Sequence, residues 1–246
     1  MKVVAIALAI FGLLVLTSLF VIASPAEVVK QLLSPEVLFA ISLSLASSTA
    51  STALVLALAI PTAYALSRGF RGKEVVEAVL SLPNALTPVA IGAALLIFFS
   101  RTPLGSFINS IIPIVFSVPG LVVAQATVTF PLALKPLKSA MKSIDDDMIL
   151  MSRTLGCSGS CLIGKVILPS IKPSLKSSTL LVFTRALSEF GASVTLAGAI
   201  RFKTETVPIA IYLNLSSGDV AKVIALITVA SIMAFVLLWS TGRWEE

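Results

Sequence analysis

The chain has 246 residues, 57% of them hydrophobic and only 12% charged, with a net charge of +6 and no histidine. Soluble domains carry about 25% charged residues, and the apolar residues here gather into runs too long for a soluble core; the composition therefore excludes a soluble globular protein and implies an all-α polytopic membrane protein. The positive charge does not point to nucleic acid, because Lys and Arg sit in short stretches beside apolar runs and are not interleaved with aromatic residues.

In chain order, residues 3–23 form an uncharged run behind Lys2, long enough to span a bilayer. A cleaved signal peptide is the rival reading, but its apolar core is usually about 7–15 residues, so a retained span is expected. Residues 24–36 are polar and are placed outside. The second span, 39–66, carries Ser42, Ser44, Ser47, Ser48, Thr49, Ser51 and Thr52, which suit close helix packing more than pore lining, and Pro61 is expected to kink its inner end. Arg68, Arg71 and Lys73 mark a cytoplasmic loop.

The third span, 78–100, starts irregularly at Pro83, Asn84 and Pro88. Irregular backbone at membrane depth is tolerated only where protein or a water cavity covers it, so these three residues are candidates for gate or pathway structure. Residues 101–109 read as a short outside turn. The fourth span, 111–134, is punctuated by Pro113, Pro119 and Pro131 and carries Gln125 and Thr129 on one face, with packing the preferred role. The fifth, 175–200, holds Arg185 and Glu189, each costing about 2.5–3.5 kcal/mol at a helix centre if left alone. At i, i+4 they can neutralise each other, either as a structural ion pair or as charge lining an anion pathway. Residues 201–219 return outside, where Arg201 and Lys203 either attract an anion or a partner protein or are simply solvated. Residues 223–240 make the sixth span and 241–246 a tail.

Six transmembrane helices with both termini in the cytoplasm place twelve of the 18 Lys and Arg residues inside, in keeping with the positive-inside rule. Cys157 and Cys161 have i, i+4 spacing, but two thiols without further ligands make a poor metal site. On the inside they are expected to stay reduced.

Residues 144–169 are a polar, basic interruption between the fourth and fifth spans. Asp145, Asp146 and Asp147 stand where carboxylates cap and favour a helix start, and Met148, Met151 and Leu155 follow at i, i+3 and i+7, giving one apolar face. Gly156 can close the helix. This predicts a short amphipathic helix facing the cytosol, offering its apolar stripe to a soluble partner or to the lipid interface.

Gly156, nine residues, then Val166-Ile167-Leu168-Pro169 resembles the second half of the permease loop of ABC importers. The triplet that names that loop is replaced here by Leu150, Met151 and Ser152, so the family's carboxylate is missing. A second stretch, 183–212, is similar to molybdate and tungstate permeases, with sulfate permeases close behind. Arg185, Glu189, Phe190, Gly191, Leu196, Ala197, Gly198, Thr204, Thr206, Pro208 and Tyr212 carry that likeness.

The resemblance implies a type I ABC importer permease fold over 37–240, following a first helix and external segment at 1–36. It implies the partners of a cell-membrane subunit too: an ABC ATPase subunit dimer docked on the coupling helix of 144–169, with Asp145, Asp146, Asp147, Met148, Met151, Arg153, Leu155 and Gly156 as the coupling residues, an extracytoplasmic oxyanion-binding protein, and a second copy of the chain. The chain lacks a G-x-x-x-x-G-K-[ST] phosphate loop, so ATP and Mg are expected in the partner subunit, with no cofactor or metal here and no enzyme activity. Sulfate or thiosulfate transport is the nearest alternative, and an ion-driven secondary transporter is the rival from another class. An intramembrane enzyme is disfavoured, since there is no His and no carboxylate pair deep in a span.

Overall fold

The computed structural model of the chain describes residues 25–242, together with residues 10, 11, 14 and 18. The expected first span, 3–23, lies outside the described residues apart from those four, as does the tail beyond 242. Among the described residues the regular structure is helical and no strand occurs. The principal helices are α1 Pro25–Leu32, α2 Pro35–Arg68, α3 Lys73–Ser81, α4 Pro88–Arg101, α5 Pro103–Ile111, α6 Val118–Lys142, α7 Asp146–Thr154, α8 Lys172–Leu187, α9 Gly191–Ala197, α10 Val207–Ser217 and α11 Val220–Gly242. Three of them, α2, α6 and α11, are long and apolar enough to cross a membrane. Two bent pairs also qualify when each is taken as one span: residues 73–101, bent by 110°, and residues 172–197, bent by 60°.

Four sequence expectations need correction. The outside turn at 101–109 is the helix α5, because Thr102 caps it, its hydroxyl accepting from the Gly105 amide at 3.0 Å, and Pro103 suits a first helical position. The fourth span begins at Val118 instead of 111, because the Asn109 side-chain oxygen draws the Ile114 and Val115 amides out of helix at 2.8 and 3.0 Å. The fifth span is not one helix to 200, since it stops at Leu187 and restarts at Gly191. The segment 201–219 contains α10, with Pro208 in its first turn and Val207, Ile209, Ala210 and Asn214 buried.

Residues 45–198 form one compact unit. One apolar cluster joins α2 to α6 through Val55, Ala59, Ala63, Leu66, Leu134, Leu137 and Met141, and it takes in Ile149 of α7 and Ile167 and Ile171 before α8. A second cluster packs α4, α6 and α9 through Ile91, Ala124, Val128, Ala192 and Leu196. Ser47, Ser48, Ser51 and Thr52 all face inward on α2, and the Gln125 amide of α6 donates to Ser47 Oγ at 3.3 Å. Thr129 donates to the Gln125 carbonyl of its own helix, so its hydroxyl does not bridge helices. Pro61 in α2 and Pro131 and Pro136 in α6 sit within continuous helices.

The other unit comprises the described residues of 1–44 and 199–239. Its core joins the N-terminal turns of α2 to α10 and α11 through Val37, Ala40, Val207, Ala210 and Leu226. The Val207 amide donates to Ser44 Oγ at 2.7 Å, which anchors the start of α10 to α2.

Helices α4 and α9 approach each other closely. A methyl on Gly92 would lie 2.8 Å from the Ala192 Cα and carbonyl oxygen, while α9 starts at Gly191 against Pro88 and Val89. Gly92→Ala is therefore expected to lower the Tm of the detergent-purified chain, the overpacking penalty being about 1–3 kcal/mol. Gly164→Ala, with nothing within 4 Å of the added methyl, serves as the control and leaves Tm unchanged. An unaltered Tm for Gly92→Ala would contradict so close a packing.

Candidate functional site

Helix α7 has two unlike faces. Asp145 is its N-cap, with Oδ1 accepting from the Asp147 amide at 3.0 Å, and Asp146 and Asp147 fill the first turn, where the helix dipole favours negative charge. Asp147 is exposed. Met148, Met151 and Leu155 lie together on one face and are open, with Leu155 86% exposed. Gly156, at φ 82°, lets the chain leave the helix in the left-handed region.

The opposite face was missed by the sequence reading. Ile149 is buried in the cluster that joins α2 and α6, Asp146 pairs with Arg68 at the end of α2, and Arg153 donates to the Tyr64 hydroxyl at 3.4 Å. The signal was present in the spacing, because 146, 149 and 153 repeat at three and four residues just as 148, 151 and 155 do. Leu150 is also exposed.

Beyond α7, Cys157 and Cys161 are joined by a disulfide, with their Cα atoms 5.4 Å apart. This corrects the expectation of two reduced thiols on one helical face. Cys157 lies in the non-helical turn after α7 and Cys161 in the short helix Ser160–Leu162, so the chain folds back and brings them within bridging reach. A π-helical turn, Ile163–Ile167, then leads to Pro169 and α8.

The second part of the site is where the broken spans meet. After α3 a 3-10 turn, Leu82–Asn84, contains Pro83 and Asn84, and α4 starts at Pro88 with Thr87 as its cap, the hydroxyl accepting from the Ala90 amide at 3.3 Å. Pro83, Asn84 and Pro88 thus mark a 110° turn of the chain. Pro88 and Val89 also touch Gly191, so the break of one span abuts the break of the other.

At that second break Glu189 is 1% exposed. Its Oε1 accepts from the Ala192 amide at 2.9 Å, satisfying the first turn of α9, and its Oε2 lies 2.7 Å from Arg185 Nη1 in the last turn of α8. Oε2 has no aligned hydrogen bond, so this contact is an ion pair held by proximity. Arg185 and Glu189 are brought together across a gap between helices and not along one helix, and about a third of the Arg185 side chain remains open.

In the unit of residues 1–44 and 199–239 the structure assembles a polar cluster that the sequence did not reveal. Glu36 meets Lys222 Nζ at 3.0 Å and Arg201 Nη1 at 3.5 Å, and accepts from Asn214 Nδ2 at 2.8 Å. Lys222 also pairs with Asp219 at 3.2 Å. Arg201 is therefore partnered, whereas Lys203 is exposed. Glu205 is fully buried and accepts from the Phe202 amide at 3.0 Å. Burial raises its pKa, the Phe202 amide lowers it less, and the nearby Glu36 carboxylate raises it further. No residue separations among these helices would have announced the cluster, because its members lie as far apart in sequence as 36 and 222.

A multi-pass helical chain whose spans break where they touch, with a short inter-span helix that is anchored on one face and open on the other, has the build of a membrane transport subunit. Residues 56–243 match the family described as the binding-protein-dependent transport system inner membrane component, and the chain belongs to that family. It is 33% identical over 244 residues to a probable molybdenum ABC transporter permease protein of Haloferax volcanii, covering 97% of this chain and 88% of the relative. It is 35% identical to the molybdenum transport system permease protein ModB of Mycobacterium bovis, over 83% of this chain and 78% of the relative. The molybdate/tungstate transport system permease protein WtpB of Methanocaldococcus jannaschii is 33% identical over 95% of this chain and 93% of its own length. Among solved structures, a bacterial alginate ABC transporter in complex with a pentasaccharide-bound periplasmic protein aligns with a TM-score of 0.72 and 15% identity, over 98% of this chain and 93% of the matched chain, which shows the shared fold. The chain is thus the transmembrane subunit of an ABC importer, a multi-pass membrane protein that works with other ABC transporter components and is not itself an enzyme.

Two predictions test this geometry. Removing one partner of a fully buried ion pair costs about 3–5 kcal/mol, and Glu189→Gln should cost less because Arg185 is partly open. The double variant Arg185→Gln/Glu189→Gln should recover part of the lost Tm, and equal losses would contradict mutual neutralisation. For Glu205 the folded state holds its proton more tightly than the unfolded chain, so this contribution to stability is complete at low pH and is lost as pH rises from the ordinary carboxylate range through the raised value. Glu205→Gln should flatten that part of the Tm-against-pH curve, and an unchanged curve would refute the assignment.

Proposed function

We propose that two copies of this chain form the transmembrane pathway for molybdate or tungstate in an ATP-driven importer of the cell membrane, with both termini in the cytoplasm. The observation that carries the substrate reading is that relatives named for molybdenum and for molybdate/tungstate transport align along most of this chain. An external oxyanion-binding protein delivers the anion, and ATPase subunits, which bind ATP and Mg, drive the cycle through the loop 144–169. The distribution of Lys and Arg supports the orientation.

The open face of α7, formed by Met148, Met151 and Leu155, is the docking face for the ATPase, with Asp145 and Asp147 at its margins. Because the ATPase favours one arrangement when ATP is bound, it shifts the permease between outward-open and inward-open states. Without such a difference in affinity, ATP could shift nothing. The bends at Pro83, Asn84 and Pro88 and at Arg185 and Glu189 are the candidate gate, because they touch and because irregular backbone can rearrange there. Arg185, with part of its side chain open, is placed to meet a passing anion, while Glu189 keeps it from holding the anion too tightly.

Changing Met148, Met151 and Leu155 together to Asp should abolish molybdate uptake in proteoliposomes of the full importer while the permease remains folded. Uptake and ATP-coupling at the wild-type level would refute the docking assignment. Calorimetric titration of the partner binding protein with molybdate, tungstate and sulfate decides the substrate, and a preference for sulfate would replace the reading.

A further inference from the structure

Resting on the reading of α7 as the docking helix, we propose that Arg68 is a positioning residue: with Tyr64 it mounts both ends of α7 on the last turn of α2, so that a push on α7 moves α2 as well. Tyr64 and Arg68 are four residues apart and share one face of α2. The first residue of α7, Asp146, pairs with Arg68 Nη1, and Arg153, in the last turn of α7, donates to the Tyr64 hydroxyl at 3.4 Å. Between these two points Ile149 is buried in the same cluster as Ala63 and Leu66 of α2. The mount therefore uses positions 146, 149 and 153, and the docking face uses 148, 151 and 155, on opposite sides of one nine-residue helix.

Arg68 makes contacts that no other cation could combine. Besides the pair with Asp146, its Nη2 donates to the Met141 carbonyl at 3.3 Å, at the inner end of α6, and its guanidinium lies 5.7 Å from the Tyr64 ring centroid. One planar group thus ties α2, α6 and α7 together, using the fork and the flat face that distinguish arginine from lysine. The ion pair alone would be weak, since the Asp146 side chain is 88% exposed. Joined to a buried isoleucine and a second polar contact one helix-length away, it stops α7 from pivoting about a single anchor. A rigid mount matters because displacement applied at the docking face would otherwise be lost as a rotation of α7 about Ile149.

The test uses the full importer, with ATPase subunits and binding protein, reconstituted in proteoliposomes. Arg68→Asp and Asp146→Arg are each expected to lower the number of molybdate ions taken up per ATP hydrolysed by roughly fivefold or more, while ATP hydrolysis itself persists. The double exchange Arg68→Asp/Asp146→Arg is expected to recover at least half of that ratio. Arg68→Lys, which keeps the charge and the fold, is expected to fall between. A photo-reactive residue placed at Met151 reports docking separately. If it cross-links to the ATPase in every variant, and the exchange restores coupling, the mount is supported. If it cross-links and the single variants or Arg68→Lys keep the wild-type ratio, or the exchange is no better than the single variants, the mount is refuted although the docking reading stands. Absence of a cross-link in the wild type would overturn the docking reading, and this inference with it.

Discussion

A membrane span can be interrupted only if the backbone groups released at the break find partners inside the protein, since lipid offers none. The structure depends on how that requirement is met. Thr87 caps α4, Ser117 caps α6, Asn109 takes two amides from the segment ahead of α6, and Glu189 takes the Ala192 amide of α9. The Phe116 amide, from a residue at φ 54°, is taken by the Leu196 carbonyl. Each of these groups is short, polar and placed just where a helix starts or stops. Without them the breaks would be sites of unsatisfied hydrogen-bonding groups, each costing several kcal/mol, about as much as a whole domain can spare.

In the proposed transport cycle the breaks are where the fold changes. A continuous span transmits force along its axis but cannot alter its path, whereas two bent spans in contact at their bends can exchange one packing for another. Gly92, Gly191, Pro88 and Val89 make that contact close. Charge neutralisation follows the same economy: Glu189 serves as a cap and as the counter-charge of Arg185. At the far side of the same unit, α7 is anchored into the α2–α6 core by Ile149 and exposes its methionines. The proposed path of force therefore runs through packed side chains from an open apolar face to the interior of the bundle.

Much of this was legible in the residues. Long apolar runs gave the membrane class, Asp145 to Asp147 with Gly156 marked both ends of α7 to within two residues, and Pro83 to Pro88 announced the irregular entry to the third run. The chain's family likeness lay in 183–212 and in the loop before Pro169. What could not be read has physical causes. Residues 101–109 read as a turn in the sequence, although Thr102 followed by Pro103 is a helix-start signal. The break at 188–190 carries no proline or preceding glycine, and it forms because a buried carboxylate competes for the amides of the next helix. The cluster around Glu36 and Glu205 depends on contacts between residues more than 160 apart in sequence, and the mount of α7 on Arg68 spans 78. Local periodicity shows which faces of a helix differ, but not what lies opposite them. The disulfide between Cys157 and Cys161 was missed because the spacing suggested a helix where the chain instead turns back.

The central claim is that force from the ATPase enters through α7 and reaches the spans because α7 and the inner end of α2 move as one body. Pulsed electron–electron spin-resonance distances, measured in the assembled importer with and without ATP, test it most directly. One pair of labels sits on α7 at Ser152 and on the C-terminal end of α2 at Ser67; a second pair compares Ser152 in the two copies. The account predicts that nucleotide changes the distance between copies and leaves the distance from Ser152 to Ser67 within one copy unchanged. A change within the copy of the same size as the change between copies would contradict it.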